Sequence, residues 1–169
     1  YPELPSEGHT AVTAEMAERV AKYIPPGARI LDVGCGQGPA LEWFKREGFN
    51  AIGTTLDLQD AMELEKKGLA WIRADMHGLP FTDGAFDCVW ARHVIEHSVA
   101  PFFVLHEFFR LLKSGGILYV EVPSPDTSCY HESNLNHFSV LGNVMWMQLL
   151  RRSGFHFAEA VSIGIQTGA

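Results

Sequence analysis

The sequence predicts a doubly wound α/β fold: a mainly parallel sheet of six to seven strands with helices on both faces. Three observations carry this expectation. Short apolar runs rich in β-branched residues alternate with amphipathic stretches along most of the chain. Glycines close the amphipathic stretches, at Gly48, Gly68 and Gly115. A glycine-rich turn, Gly34-Cys35-Gly36-Gln37-Gly38, follows directly on the first apolar run.

The elements follow in order. Val12, Met16, Val20 and Ile24 share one face, which predicts a helix over about 12–24, stopped by Pro25-Pro26-Gly27. ARILDV (28–33) reads as a buried strand. Pro39 suits the first position of a helix running to Gly48. NAIGTTL (50–56) is a second strand, 58–68 a second glycine-closed helix, and LAWIRAD (69–75) a third strand. A loop leads to FDCVWA (86–91), then a helix from Pro101 to Gly115 with Leu105, Phe108, Phe109 and Leu112 on one stripe. ILYVEVP (117–123) is a fifth strand. A long loop from Ser124 to about Asn136, a helix over about 140–153 and a sixth strand, FHFAEAVSI (155–163), complete the pattern. We expect a single domain over 1–169. It comprises the N-terminal helix, a ligand-binding core over about 28–123, and an acceptor-side loop with its helix and strand over about 124–169. Parallel sheets of this type bind ligands beyond the carboxyl ends of their strands, where strand order reverses.

Composition narrows the function classes. The chain has 169 residues, 47% apolar and 20% charged, ordinary for one globular domain. A net charge of −7 argues against a large nucleic-acid surface. Three scattered cysteines (Cys35, Cys88, Cys129) make neither a disulfide framework nor a thiolate zinc site, which favours a reducing, cytoplasmic setting. No apolar run reaches membrane-spanning length. A first residue of Tyr is consistent with a processed or trimmed chain.

The strongest chemical signal is Asp32-Val33-Gly34-Cys35-Gly36-Gln37-Gly38. Glycines here let the backbone approach a ligand that a Cβ would block, and aim N–H groups at it. A mere tight turn is the plain alternative. A dinucleotide fingerprint asks for Gly or Ala where Pro39 stands, and a P-loop asks for Lys-Ser/Thr, which is missing. With ILDVGCGQG, IRADMHGLPFTDGAFDCVWARHVIEH and EFFRLLKSGGILYVEVP, the chain resembles the class I S-adenosylmethionine-dependent methyltransferases, closely over about 28–123. The resemblance implies a Rossmann-like sheet. It implies S-adenosylmethionine as cofactor, S-adenosylhomocysteine as product and a small-molecule methyl acceptor, most readily a hydroxyl.

By that resemblance, Gly34, Cys35, Gly36 and Gly38 pass under the methionine and ribose parts of the cofactor. Asp32 supports the loop or meets the methionine amine. Asp75 takes the adenine amino group, and Met76 meets the ring by its backbone and covers it with its side chain. Asp75 as a helix cap or solvated loop acid is the alternative. Ala91, Arg92 and His93 line the methionine end. The family ends its second strand with an acid that takes both ribose hydroxyls, whereas this chain has Thr54 and Thr55, with Asp57 two residues on. A threonine cannot accept from two hydroxyls as a carboxylate does. That departure gives weight to another reading, a cofactor-binding module without catalysis.

His93-Val94-Ile95-Glu96-His97 matches the His-x-x-Glu-His spacing of an inverted zinc protease. That chemistry needs both imidazoles on one helix face, and the segment falls at a strand-to-helix turn instead. Some methyltransferases resembling this chain, the small-RNA 2′-O-methyltransferases and ubiquinone-pathway O-methyltransferases, bind a divalent metal here through a Glu-x-x-Glu-His sequence and a later His, which implies as an alternative a metal-assisted sugar or RNA hydroxyl methyltransferase. The corresponding positions are His93, Glu96, His97 and His137. We favour no metal, with Glu96 and His97 walling the pocket and His97 or His137 as the general base.

Overall fold

A computed structural model describes residues 7–163 of the chain. These residues form five of the expected strands and the five expected helices: α1 (Glu7–Ala21), β1 (Arg29–Val33), α2 (Pro39–Arg46), β2 (Asn50–Thr55), α3 (Leu58–Lys66), β3 (Trp71–Arg73), β4 (Phe86–Arg92), α4 (Pro101–Leu111), β5 (Leu112–Glu121) and α5 (Asn143–Arg152). The strands form one sheet in the order β3-β2-β1-β4-β5, every neighbouring pair parallel. Strand order reverses between β1 and β4, so the switch point lies beyond Val33 and Arg92.

Side chains alternate across the sheet and both faces are covered, which explains the near-continuous apolar runs. Ile30, Cys88 and Trp90 face the layer of α1 and α2, packing with Met16, Ala17, Val20, Ile24 and Phe44. Leu31, Val33, Val89 and Ala91 face the layer of α4 and α5, packing with Val104, Leu105, Phe108, Leu111 and Trp146. The predicted stripe of the first helix is therefore its buried face, although the helix starts earlier, at Glu7, and ends at Ala21.

The junction of α4 and β5 and the packing of α4 differ from the sequence expectation. α4 stops at Leu111, because Leu112 is already extended and pairs with Phe86. The Lys113–Gly116 stretch is an irregularity in β5, where the register jumps between Phe86 and Cys88, rather than a helix end. Phe109 of the expected stripe is 48% exposed and meets Phe155 edge-on instead of entering the core.

The expected sixth strand over 155–163 does not form. The segment is held by side chains instead of a ladder. Phe155 packs on Phe109, Arg151 sits over the Phe157 ring at 5.2 Å, and Glu159 pairs with Arg19 of α1 at 2.6 Å. The sequence after 163 is too short and too weak in pattern to predict a seventh strand, and that expectation falls on residues outside those described.

Candidate functional site

The glycine loop is built by the backbone that flanks it. Gly34 has φ 66 and Gly38 φ 81, both in the left-handed region. A Cβ on Gly34 would lie 2.6 Å from Val94 Cγ2, and one on Gly38 2.6 Å from Leu64 Cδ2, so packing as well as backbone requires glycine. Gly36, φ 51, is different: a Cβ there would meet nothing within 4 Å. The loop thus presents open space at its centre. Thr54, buried at the end of β2, holds it from beneath: its Oγ1 accepts from Gly34 N at 3.3 Å, and its carbonyl accepts from Cys35 N at 2.9 Å. Cys35 Sγ is buried against Gly53, and burial, with Asp32 and Asp60 nearby, pushes its thiol far up, so it is no nucleophile. Burial also raises Asp32 well above the usual carboxylate range, partly offset by Arg92.

At the end of β2, Thr55 Oγ1 accepts from Asp57 N at 3.1 Å. Asp57 caps α3, its Oδ1 accepting from Gln59 N at 2.7 Å and Asp60 N at 3.1 Å; these bonds hold its carboxyl below the usual range. Sequence reasoning missed Asp60. It is half-buried one turn along from Asp57, its carboxyl is raised by burial and by Asp57, and its charge is felt at Cys35. The signal was its three-residue spacing from Asp57, which puts both on the helix start beside the loop.

Beyond β3, Asp75 is exposed and Met76 is half-buried, packing on the α4-side core. Asp75 Oδ1 accepts from His77 N at 2.9 Å and lies 2.6 Å from His77 Nδ1; these bonds hold its carboxyl low.

The end of β4 carries a buried charge network. Arg92 Nε donates to Glu121 Oε2 at 2.7 Å, Tyr119 Oη donates to the same oxygen at 2.6 Å, and Arg92 Nη1 donates to Thr13 Oγ1 of α1 at 2.9 Å. Arg92 Nη2 is buried without a partner. Ala91 is fully buried in the α4-side core. His93 takes a left-handed φ of 50, unusual for a non-glycine, and its Nε2 lies 2.9 Å from Glu121 Oε1. Burial opposes a charge on His93, but Glu121 and Glu96 outweigh it and hold the imidazole up to about 9. Burial likewise opposes a charge on Glu121, and His93, Arg92 and Tyr119 bring it down to about 2.

The segment after β4 forms one 3-10 turn, Ile95–His97. It brings Glu96 and His97 against His137 of the β5–α5 loop, the ligand-type atoms of all three lying within 4.8 Å of one another. His97 Nδ1 lies 2.8 Å from Asn136 O, and His137 Nδ1 lies 2.9 Å from His131 O. A carbonyl accepts only, so each Nδ1 carries a proton, which in the neutral imidazole leaves the lone pair on Nε2. Glu96 is 1% exposed, and its Oε2 is buried without a hydrogen-bond partner. His93 is outside this trio: its Nε2 lies against Glu121, and its Nδ1 lies 3.5 Å from Glu96 Oε1. The His-x-x-Glu-His spacing therefore makes no zincin pair. The loop is tied to the turn by Phe138 N and Ser139 N, both donating to Glu96 O, at 2.8 and 3.0 Å.

Residues 31–120 match the family model described as a methyltransferase domain. The chain belongs to the methyltransferase domain family. Its fold is that of the class I S-adenosylmethionine-dependent members. A SAM dependent methyltransferase from Archaeoglobus fulgidus superposes with a TM-score of 0.77 at 21% identity, over 95% of this chain and 80% of that one. Among curated relatives, 24-methylenesterol C-methyltransferase 2 of Oryza sativa subsp. japonica is 32% identical over 154 residues, 85% of this chain and 42% of that protein. 2-Methyl-6-phytyl-1,4-hydroquinone methyltransferase of Synechocystis is 37% identical over 103 residues, 57% of this chain and 32% of that protein. The chain thus spans less than half the length of these curated relatives. No helix among the described residues is long and apolar enough to cross a membrane.

Set on the methyltransferase sheet, the sequence-predicted residues fall into two groups. Asp32, Gly34, Cys35, Gly36, Gly38, Thr54, Thr55 and Asp57 meet at the loop edge of β1 and β2. His97 and His137 meet beyond β4. Arg92 and His93 are committed to Glu121, a residue sequence reasoning missed because its charge lies inside an apolar run, ILYVEVP.

Proposed function

We propose that this chain is an S-adenosylmethionine-dependent methyltransferase acting on a hydroxyl of a small, apolar acceptor in the cytoplasm. Gly34–Gly38 would hold the cofactor, Asp75 and Met76 its adenine, Thr54, Thr55, Asp57 and Asp60 its ribose, and Asp32 with the end of β4 its methionine end. The observation that carries the reading of the acceptor side is the pair of imidazoles whose Nδ1 atoms are pinned by Asn136 O and His131 O. Both lie on the side of the sheet edge beyond β4, where the proposed function seats the methyl acceptor. S-adenosylmethionine, when bound, would supply an electrophilic methyl group on a sulfonium. His97 or His137 would accept the acceptor's hydroxyl proton at an imidazole nitrogen. Holding acceptor oxygen, methyl carbon and sulfur in line without water is the protein's larger contribution. The relatives named for a sterol and for a phytyl hydroquinone support an apolar acceptor, and exposed Leu135 and Phe138 beside His137 fit one.

The test is turnover of labelled S-adenosylmethionine against a panel of hydroquinones, catechols and sterols, with product mapping of the methylated atom. His97→Ala with His137→Ala should cut turnover by about 10²-fold or more while cofactor binding persists. Undiminished turnover in that double variant, or a methylated carbon in the product, overturns the hydroxyl reading. Cofactor binding with no turnover in the native chain supports a non-catalytic module.

A second reading has its own observation, the buried and unpartnered Glu96 Oε2 in a residue whose ligand-type atom lies within 4.8 Å of those of His97 and His137. One carboxylate and two imidazoles, each with its other nitrogen fixed by a backbone carbonyl, fit a divalent cation, with zinc or iron(II) favoured over magnesium. Glu96, His97 and His137 would hold it, and it would lower the acceptor hydroxyl's pKa. Metal analysis decides this: one equivalent retained in the native chain and lost in Glu96→Gln supports the site. Metal-free protein with chelator-insensitive turnover removes it.

A further inference from the structure

We propose that His77 is a positioning residue for adenine recognition: it fixes the carboxylate of Asp75 and is itself anchored on Ser98, which also holds the β5–α5 loop. The proposal rests on the reading that Asp75 receives the adenine amino group.

Five contacts link these residues. His77 Nδ1 lies 2.6 Å from Asp75 Oδ1, and His77 N donates to that same oxygen at 2.9 Å. His77 Nε2 lies 2.7 Å from Ser98 Oγ. Ser98 Oγ accepts from Ala100 N at 2.9 Å. Ser98 O accepts from Ser139 Oγ at 2.6 Å. An ionised carboxylate only accepts, so Nδ1 carries the ring proton. Nε2 is then an acceptor, and the Ser98 hydroxyl fills it while receiving from Ala100 N. Each of these polar atoms has one consistent role, which fixes the ring's orientation and tautomer without appeal to a charge on His77.

Both donors converge on Oδ1 of Asp75. Oδ2 is left for a ligand, and the side chain is 56% exposed, so it faces an open site. An exposed aspartate in a loop would otherwise sample several rotamers. His77 removes that freedom before the ligand arrives, which is preorganisation. Ser98 is fully buried, so its position is set by packing and passes to Asp75 through the imidazole. The Asp–His–Ser order imitates a hydrolase triad. A hydroxyl with no exposure, already accepting from a backbone N–H, has no room to attack a substrate, so the relay positions rather than reacts.

The test compares binding of S-adenosylhomocysteine with that of S-inosylhomocysteine, which lacks the adenine amino group, by calorimetry on the full chain. A merely structural role would shift both affinities together, so the readout is their ratio. The native chain should prefer the amino ligand by about tenfold or more, since a site built to hydrogen-bond a group rejects the analogue lacking it. Asp75→Ala should abolish the preference. His77→Ala should reduce it severalfold, and His77→Gln, which keeps a donor near Asp75, should recover part of it. Ser98→Ala should weaken the preference less than His77→Ala. A native-like ratio in His77→Ala, with Asp75→Ala collapsed, overturns the role of His77 while leaving Asp75 as the adenine ligand. An unchanged ratio in Asp75→Ala overturns the adenine assignment and the proposal with it. Should His77→Ala fail to fold by thermal melting, His77→Phe keeps the ring's bulk without its nitrogens, and the same ratio is read on that variant with the same two outcomes.

Discussion

At the residue scale, the two kinds of glycine in one loop separate stability from binding. Gly34→Ala adds a methyl against Val94 in a left-handed backbone, and should cost about 2–4 kcal/mol in urea unfolding. Gly36→Ala meets open space and should cost only about 1–2 kcal/mol, from backbone strain. It should nevertheless weaken cofactor binding, because its new methyl points where the ligand would lie. Equal stability losses in the two variants would contradict this division. Glu121 gives a second prediction. Its carboxyl is brought to about 2 in the folded chain, against an ordinary value of 4.5. A depressed carboxyl stabilises the fold above its unfolded pKa, and that contribution fades as pH falls from about 4.5 towards 2. Its side chain is only 11% exposed, so the loss is on the order of 2–3 kcal/mol. Glu121→Gln should flatten the acid limb of the stability profile in that window. Unchanged acid dependence would mean His93, Arg92 and Tyr119 do not hold it as the geometry indicates.

At the scale of elements, the loop between β3 and β4 is held to α4 by one guanidinium. Arg110 donates to Phe81 O and Leu79 O, and it pairs with Asp83 and Glu107, whose Oε1 also accepts from Leu79 N. A planar fork reaches several acceptors at fixed angles, and an ammonium cannot. Arg110→Lys should therefore raise amide exchange across 79–83 while leaving β1 and β4 protected. Equal protection of the loop in both proteins would show that the other contacts suffice. The β5–α5 loop is tied differently, by backbone bonds to Glu96 O and by Ser139 to Ser98 O. This places His137 against His97 without any help from helix or strand.

At the scale of the whole molecule, much of the architecture was legible in the sequence because period and punctuation agree. The stripe Met16, Val20, Ile24 and the run Ile30-Leu31 each have one way to be buried in a two-faced parallel sheet. The segment 155–163 misled because its alternation suits a strand, yet its contacts are an ion pair, a cation–π contact and an edge-on aromatic pair. Pattern records which side chains want burial, not whether a backbone neighbour is available. At the candidate site, DVGCGQG announced the loop, but the partner of His93 lay far along the chain in an apolar run, and only the register Arg92↔Glu121 brings them together. The proposed function puts cofactor and acceptor together at the carboxyl edge of β1 and β4. A crystal structure with S-adenosylhomocysteine puts that placement to the test. The ligand should follow Gly34–Gly38 with its adenine at Asp75 and its sulfur facing Glu96, His97 and His137. Density elsewhere, or a sulfur turned away from that trio, would contradict it.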